Sequence, residues 1–130
     1  MSTFCGGSGG AIVNVSSMAA TIGGRPGASA YAASKAAVDC FTTGFAREVA
    51  AEGIRVNVVR PGVVVTEMTH HIARDSALRA RVASSIPMQR LGRPEEIADI
   101  VLWLLSDSAS LVTGAHVDAG GGGFMVGSLR

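Results

Sequence analysis

Tyr31 and Lys35 are the sole tyrosine and the sole lysine of a 130-residue chain. Four residues apart, they share one face if the segment is helical. A phenol ionises only near pH ~10 and is a poor proton carrier at neutrality. A neighbouring ammonium favours phenolate. The pair is therefore suited to general acid/base work on a carbonyl or alcohol oxygen. Ser16 and Ser17 end a short apolar run, and Pro61-Gly62 ends another. In an open parallel sheet, sites lie beyond the carboxyl ends of strands, so these segments can meet the Tyr/Lys pair there. Tyr-x-x-x-Lys alone is a common sequence. Its weight here comes from the order: Ser17, then Tyr31-Ala-Ala-Ser-Lys35, then Asn57-Val-Val-Arg-Pro61-Gly62, then Thr66.

The elements that must position these residues are legible in outline. Residues 1–10 read as a Gly- and Ser-rich lead-in, and 11–16 as a buried strand. Residues 17–28 hold Gly23, Gly24, Pro26 and Gly27 and read as a loop. Ser29 is the expected N-cap of a helix over 30–51, with Val38, Phe41, Phe45 and Val49 as its buried stripe and Gly53 as its cap. A second strand is expected over 54–59, a loop over 63–70 and a short helix over 76–85. Pro94 opens another helix, with Glu95 and Glu96 at its positive end and Ile97, Val101, Leu104 and Leu105 facing inward. A third strand is expected over 112–117. Alternation of strand and helix predicts an α/β fold with a parallel sheet and right-handed crossovers. Three parallel strands make a small sheet, and the first should want a neighbour on its other side.

Composition narrows the function classes. The chain is 48% hydrophobic, 16% charged and has a net charge of +1. That balance supports a buried core and argues against a nucleic-acid binder or a polybasic membrane anchor. The longest apolar run is too short to span a bilayer and the first ten residues lack a signal-peptide pattern, so a cytoplasmic protein is expected. Cys5 and Cys40 are too few for a disulfide framework, and Cys40 is expected to be buried and inert. No metal site is expected, since His70-His71 has no partner at ligand spacing. His116 is read as structural. Met68, Met88 and Trp103 are read as packing residues, and Arg74, Arg79 and Arg81 as a solvated face.

The ordered set resembles the short-chain dehydrogenase/reductase family. The resemblance rests on Gly10-Ala-Ile-Val-Asn-Val-Ser-Ser17, Tyr31-Ala-Ala-Ser-Lys35, Ile54-Arg-Val-Asn-Val-Val-Arg-Pro-Gly62 with Thr66, Pro94-Glu-Glu-Ile97, and Val112-Thr-Gly114 with Asp118. It covers nearly all of residues 9–123. It implies a partial Rossmann-like, doubly wound fold: three parallel strands with crossover helices. It also implies NAD(P)(H) as cofactor and a small carbonyl or alcohol as substrate. Tyr31 would be the proton donor or base. Lys35 would support its ionised form and bind the nicotinamide ribose. Ser17, rather than Ser16, would bind the substrate oxygen. Pro61, Gly62, Val64 and Thr66 would line the nicotinamide. Residues 66–92 match the family's variable substrate loop, and a homo-oligomer, tetramer or dimer, is implied.

The family's Gly-rich TGxxxGxG turn is absent from this sequence, and so are the residues that choose NAD or NADP. Gly6-Gly-Ser-Gly-Gly10 leads straight into a strand and is read as a surface loop. The expectation is that residues 1–130 form the C-terminal portion of one NAD(P)-binding domain whose N-terminal half is missing, inactive by itself. The alternative is a non-catalytic fragment or interaction module that associates with a full-length subunit of this family. An epimerase or dehydratase using the same Tyr/Lys pair is a third reading.

Overall fold

In the computed structural model, residues 9–123 are described. Strand β1 (Gly10–Val15) leads through a one-turn helix α1 (Ala19–Ile22) to the long helix α2 (Ser29–Val49). A 3-10 turn at Ala50–Glu52 precedes β2 (Ile54–Pro61). Then come α3 (His70–Arg74), α4 (Ser76–Ser84), α5 (Pro94–Leu105) and β3 (His116–Ala119). The sheet order is β1-β2-β3 with both pairings parallel, Val15 opposite Val59 and Pro61 opposite Ala119. All three carboxyl ends therefore lie at one edge. No helix among the described residues is long and apolar enough to cross a membrane.

Side-chain alternation along β2 separates its two faces. Val56 packs with Ala46 and Val49 of α2, with Ile54 and Phe45 beside them. The odd positions turn to α5, where Arg55 donates to the Leu104 carbonyl at 2.7 Å and the Ser106 carbonyl at 3.0 Å. A guanidinium there satisfies the unpaired carbonyls of a helix C-terminus and opposes its dipole. The two helices thus cover opposite faces. With strands stepping in one direction across the sheet, crossovers of one hand would put both helices on the same face. The two crossovers are therefore of opposite hand, and the expectation of right-handed connections holds for at most one. The β2-to-β3 connection includes α3 and α4 as well as α5, so it is not the simple unit to which the handedness rule applies.

Several boundaries differ from expectation, each for a local reason. The segment over 17–28 is not all loop, because α1 forms within it. Ala28 is the N-cap of α2 and Ser29 its first residue, without a side-chain cap. The buried face of α2 is Ala32, Asp39, Thr42, Ala46 and Val49, whereas Phe41 is 59% exposed. Small residues let the helix lie close to the sheet, and Phe41 stacks on Phe45 at 5.2 Å instead. Thr42 is buried because its hydroxyl accepts from Asn14 of β1 at 2.9 Å and donates to the Val38 carbonyl. Cys40 is exposed rather than buried, while Cys5 lies outside the described residues, as does most of the glycine-rich lead-in. Leu105, Met68, Met88 and Trp103 are also exposed, so they do not pack in this chain's core. Leu104 is the fully buried residue of α5.

Strand β3 begins at His116 rather than at Val112; the segment before it is held to β2 by side chains alongside two backbone bonds, from the Gly114 N–H to the Val56 carbonyl at 2.7 Å and from the Val58 N–H to the Ala115 carbonyl at 2.9 Å. Buried Asn57 donates to the Val112 carbonyl and accepts from the Ala115 N–H, both at 2.9 Å. The Thr113 hydroxyl accepts from the Val56 N–H at 3.0 Å. A second cluster, Ile72, Val82, Ile86 and Leu91, holds α3 and α4 together. At the start of α5, Glu96 accepts from the Arg93 N–H at 2.9 Å and from both terminal nitrogens of Arg90, at 2.9 and 2.6 Å.

Replacing Asn57 with Leu is expected to cost about 1–3 kcal/mol for each backbone group left unpaired, read as a lower urea midpoint at unchanged slope. The Arg90 hydrogen bond, aided by the Arg93 N–H, lowers the Glu96 carboxyl from 4.5 to about 2. A lowered carboxyl stabilises the fold above its ordinary value and loses that effect as pH falls toward 2. Thermal midpoints of the parent and Glu96→Gln should differ at neutral pH and converge between pH 4.5 and about 2.

Candidate active site

Three loops meet at the carboxyl edge of the sheet. The Ser16 N–H donates to the Val59 carbonyl at 2.8 Å and the Met18 N–H to the Pro61 carbonyl at 2.9 Å. The Gly62 N–H donates to the Ala119 carbonyl at 3.0 Å. The segment after β1 is thus sewn to the end of β2, and that in turn to the end of β3. The approach is close enough that a Cβ on Gly62 would stand 2.7 Å from the Gly120 Cα. One on Gly120 would stand 3.1 Å from the Met18 Cγ.

Helix α2 delivers the Tyr/Lys pair to the same edge. Lys35 Nζ donates to the Val15 carbonyl at 3.1 Å, and Ser16 Oγ donates to the Lys35 carbonyl at 3.1 Å. These two bonds fix the first turns of α2 against the end of β1. The Lys35 ammonium stands 5.9 Å from the centroid of the Tyr31 ring. Tyr31 is 42% exposed, and its hydroxyl makes no hydrogen bond among the described residues. The two serines have different roles in the local structure. Ser16 is buried and its hydroxyl proton is committed to Lys35. Ser17 is half-buried, and its Oγ accepts from the Ala19 N–H at 3.1 Å, which starts α1 and leaves the hydroxyl proton free to donate.

The remaining expected residues are placed less uniformly. Pro61 and Gly62 lie at the edge. Val64 turns its side chain into the interior and its carbonyl accepts from the Thr69 hydroxyl, so only backbone groups of Val64 remain for a ligand. The backbone at Val64 bridges to Gly92 and so anchors the excursion through α3 and α4. Thr66 is exposed at the turn into α3, its N–H donating to Thr69 Oγ1 at 2.8 Å. A cavity of about 330 Å³ lies beside α5, among Val63, Ile86, Met88, Ile97 and Ile100. Neither Tyr31, Lys35 nor Ser17 lines it. No cluster of metal-ligating side chains occurs among the described residues.

Reading the sequence missed one group of residues at this edge. Arg60, immediately before Pro61, contacts Asp39 at 2.9 Å and Asp118 at 3.3 Å. The available signal was Asp39 four residues after Lys35, on the face that carries Tyr31.

The family described as Enoyl-(Acyl carrier protein) reductase matches residues 4–123. A short-chain type dehydrogenase/reductase from Mycobacterium ulcerans superposes with a TM-score of 0.83 at 36% identity, over 95% of this chain and 43% of that one. The chain belongs to the short-chain dehydrogenase/reductase family. Its three parallel strands and flanking helices are a part of the Rossmann-like fold of those structures. Among family members, an uncharacterized oxidoreductase of Escherichia coli K12, YgfF, is 56% identical over 117 residues, 90% of this chain and 47% of the relative. The 3-oxoacyl-[acyl-carrier-protein] reductase FabG of Thermotoga maritima is 47% identical over 116 residues, 87% of this chain and 45% of the relative. A 3-oxoacyl-[acyl-carrier protein] reductase structure from Brucella melitensis matches with a TM-score of 0.76 at 38% identity, over 89% of this chain and 42% of that one. The chain spans about half the length of the curated relatives it matches.

The glycine contact at the site edge gives a direct test. In Gly62→Ala the added methyl meets backbone rather than a flexible side chain, so the loops must separate. The expected loss is about 1–3 kcal/mol, the usual range for overpacking, measured by chemical unfolding. Gly44→Ala, where a Cβ meets nothing within 4 Å, should not lower stability and serves as the control.

Proposed function

We propose that the chain is the C-terminal portion of an NAD(P)-dependent oxidoreductase domain that interconverts a small carbonyl compound and its alcohol. The observation that carries this reading is the meeting of Ser17, Tyr31 and Lys35 at one sheet edge, with Ser16 bound to structure and Ser17 still able to donate. The donor set fits a nicotinamide nucleoside. Lys35 uses one bond on Val15, leaving donor capacity for ribose hydroxyls. The backbone groups of Pro61, Gly62 and Val64 and the hydroxyl of Thr66 offer polar partners for a carboxamide.

A bound reduced nicotinamide supplies the hydride. Tyr31 gives its proton to the carbonyl oxygen as negative charge develops there, and takes it back from an alcohol in the reverse direction. Ser17 donates a hydrogen bond to the same oxygen. Lys35 offsets the charge left on the phenolate, held in place by the Val15 carbonyl. The relatives named as reductases support carbonyl reduction as the working direction. The choice between NAD and NADP is carried by neither Tyr31, Lys35 nor the loop after β2. A cytoplasmic, homo-oligomeric enzyme acting on neither nucleic acid nor membrane is consistent with the near-neutral charge.

A second reading is favoured by the outer edge of β1, which has no partner strand among the described residues and where Ile12 and Val15 are exposed. An open strand edge with apolar neighbours invites pairing. In this reading the chain is a non-catalytic module that associates with a full-length relative.

Two measurements separate these readings. A chimera carrying residues 9–123 in place of the matching half of the Thermotoga maritima reductase should oxidise reduced nicotinamide in the presence of an acetoacetyl thioester. Tyr31→Phe should lower its kcat about 10²–10⁴-fold, the usual worth of a positioned proton donor. Equal activity before and after that substitution overturns the catalytic reading. Equilibrium dialysis of the 130-residue chain against NADH and NADPH tests the second reading, which micromolar binding would overturn.

A further inference from the structure

We propose that Arg60 is a positioning residue that sets the Tyr31/Lys35 pair relative to the glycine-lined loop, acting through Asp39. The inference rests on the reading of Tyr31 and Lys35 as the proton-transfer couple and names what holds that couple in register.

Tyr31, Lys35 and Asp39 follow one another at four-residue intervals along one face of α2. The first two reach the sheet edge. The third is buried, and its Oδ2 accepts from Arg60 Nε at 2.9 Å. Arg60 is the last residue of β2 before Pro61-Gly62, and its Nη1 reaches Asp118 at 3.3 Å. Asp118 stands one residue before Ala119, whose carbonyl receives the Gly62 N–H. One guanidinium therefore joins the helix that carries the proton-transfer pair to both strand ends that carry the glycine contact.

The joint is directional. Guanidinium geometry is planar and its donors diverge at fixed angles, so the two carboxylates cannot slide independently. The Asp39 end is the stiffer one: its partner side chains are 19% and 11% exposed, against 53% for Asp118. His116 adds a brace on the same face, its Nε2 lying 3.2 Å from the Asp39 carbonyl and 3.3 Å from Thr43 Oγ1. The second Asp39 oxygen, Oδ1, is buried without a hydrogen-bond partner among the described residues. A carboxylate left half-satisfied in the interior stabilises the fold less than a fully bonded one. Its single strong bond runs to Arg60, which fits a group retained for where it holds the helix rather than for stability alone. Without Arg60, two bonds remain at the start of α2, from Lys35 to Val15 and from Ser16 to Lys35. Both anchor α2 to β1, and neither ties it to β2.

Lys35 is the chain's sole lysine, so isotopically labelled lysine gives one side-chain Cε–Hε signal from the full 130-residue protein. The Tyr31 ring beside it should displace that signal from the free-lysine position. Arg60→Met and Asp39→Asn are each expected to remove at least half of that displacement. The double variant should go no further than either single, because both remove the same link. Asp118→Asn should remove less than half of what they do. Far-UV circular dichroism is measured alongside to show that α2 is still formed, and Asp39→Asn keeps the side-chain shape if Arg60→Met does not fold. An unmoved Lys35 signal accompanied by a lower melting temperature overturns the proposal and leaves Arg60 a purely stabilising residue. A parent signal already at the free-lysine position shows that the Tyr31/Lys35 couple is not formed. That outcome overturns the catalytic reading together with the positioning role.

Discussion

Parallel pairing on both edges of β2 is the constraint on which the rest of the structure depends. Among the described residues, β2 is the strand with a neighbour on each side. Val56, Asn57, Val58 and Val59 are buried in sequence along it, as expected for a strand covered on both faces. The parallel sense of both ladders brings three carboxyl ends to one edge, and no other arrangement of these strands would bring Ser17, Pro61 and Gly120 together. Asn57 shows how far the strand extends its influence. With its side chain it holds the segment before β3, adding to the backbone bonds at Gly114 and Ala115.

The site is built from the outside of that edge inward. Lys35 and Ser16 exchange bonds with each other's backbone surroundings, so the start of α2 and the end of β1 form one unit. Gly62 and Gly120 let the next two loops close in behind it. Besides the Lys35 ammonium, charge enters through Arg60 and its two carboxylates, and that group lies on the α2 face of the sheet, the face that carries Tyr31. The α5 face is anchored differently, by Arg55 on helix carbonyls and by the Arg90–Glu96 pair. Each face thus has its own arginine from β2, alternating with the pleat.

Much of this was legible beforehand where a local rule operated. The apolar runs, the loop glycines and Pro94 marked the elements, and the Tyr31/Lys35 spacing marked the pair that α2 brings to the sheet edge. Legibility failed where a contact between distant residues decided the outcome. Phe41 reads as core by its hydrophobicity and helical spacing. It is exposed because Ala32, Thr42 and Ala46 allow a closer helix–sheet approach. Thr42, a polar residue outside the expected stripe, is buried because Asn14 meets its hydroxyl. The family resemblance puts Val64 beside the nicotinamide; which part of it can serve there is decided by packing, since its side chain turns inward beneath the Gly92 bridge. Asp39 and Arg60 carry charge, which favours solvent in any local reading, and they are largely buried because each supplies the other's partner.

By itself the sequence determined the element types, the parallel α/β class and the shared helix face of Tyr31 and Lys35, since each depends on residue kind and short-range spacing. The tertiary structure alone decided which faces α2 and α5 occupy, which serine keeps its proton free, and which charges are buried together. Those outcomes depend on pairs separated by tens of residues, such as Ser16 with Lys35 and Asp39 with Arg60. A hydrogen bond's partner cannot be assigned until the chain has brought the two groups within reach.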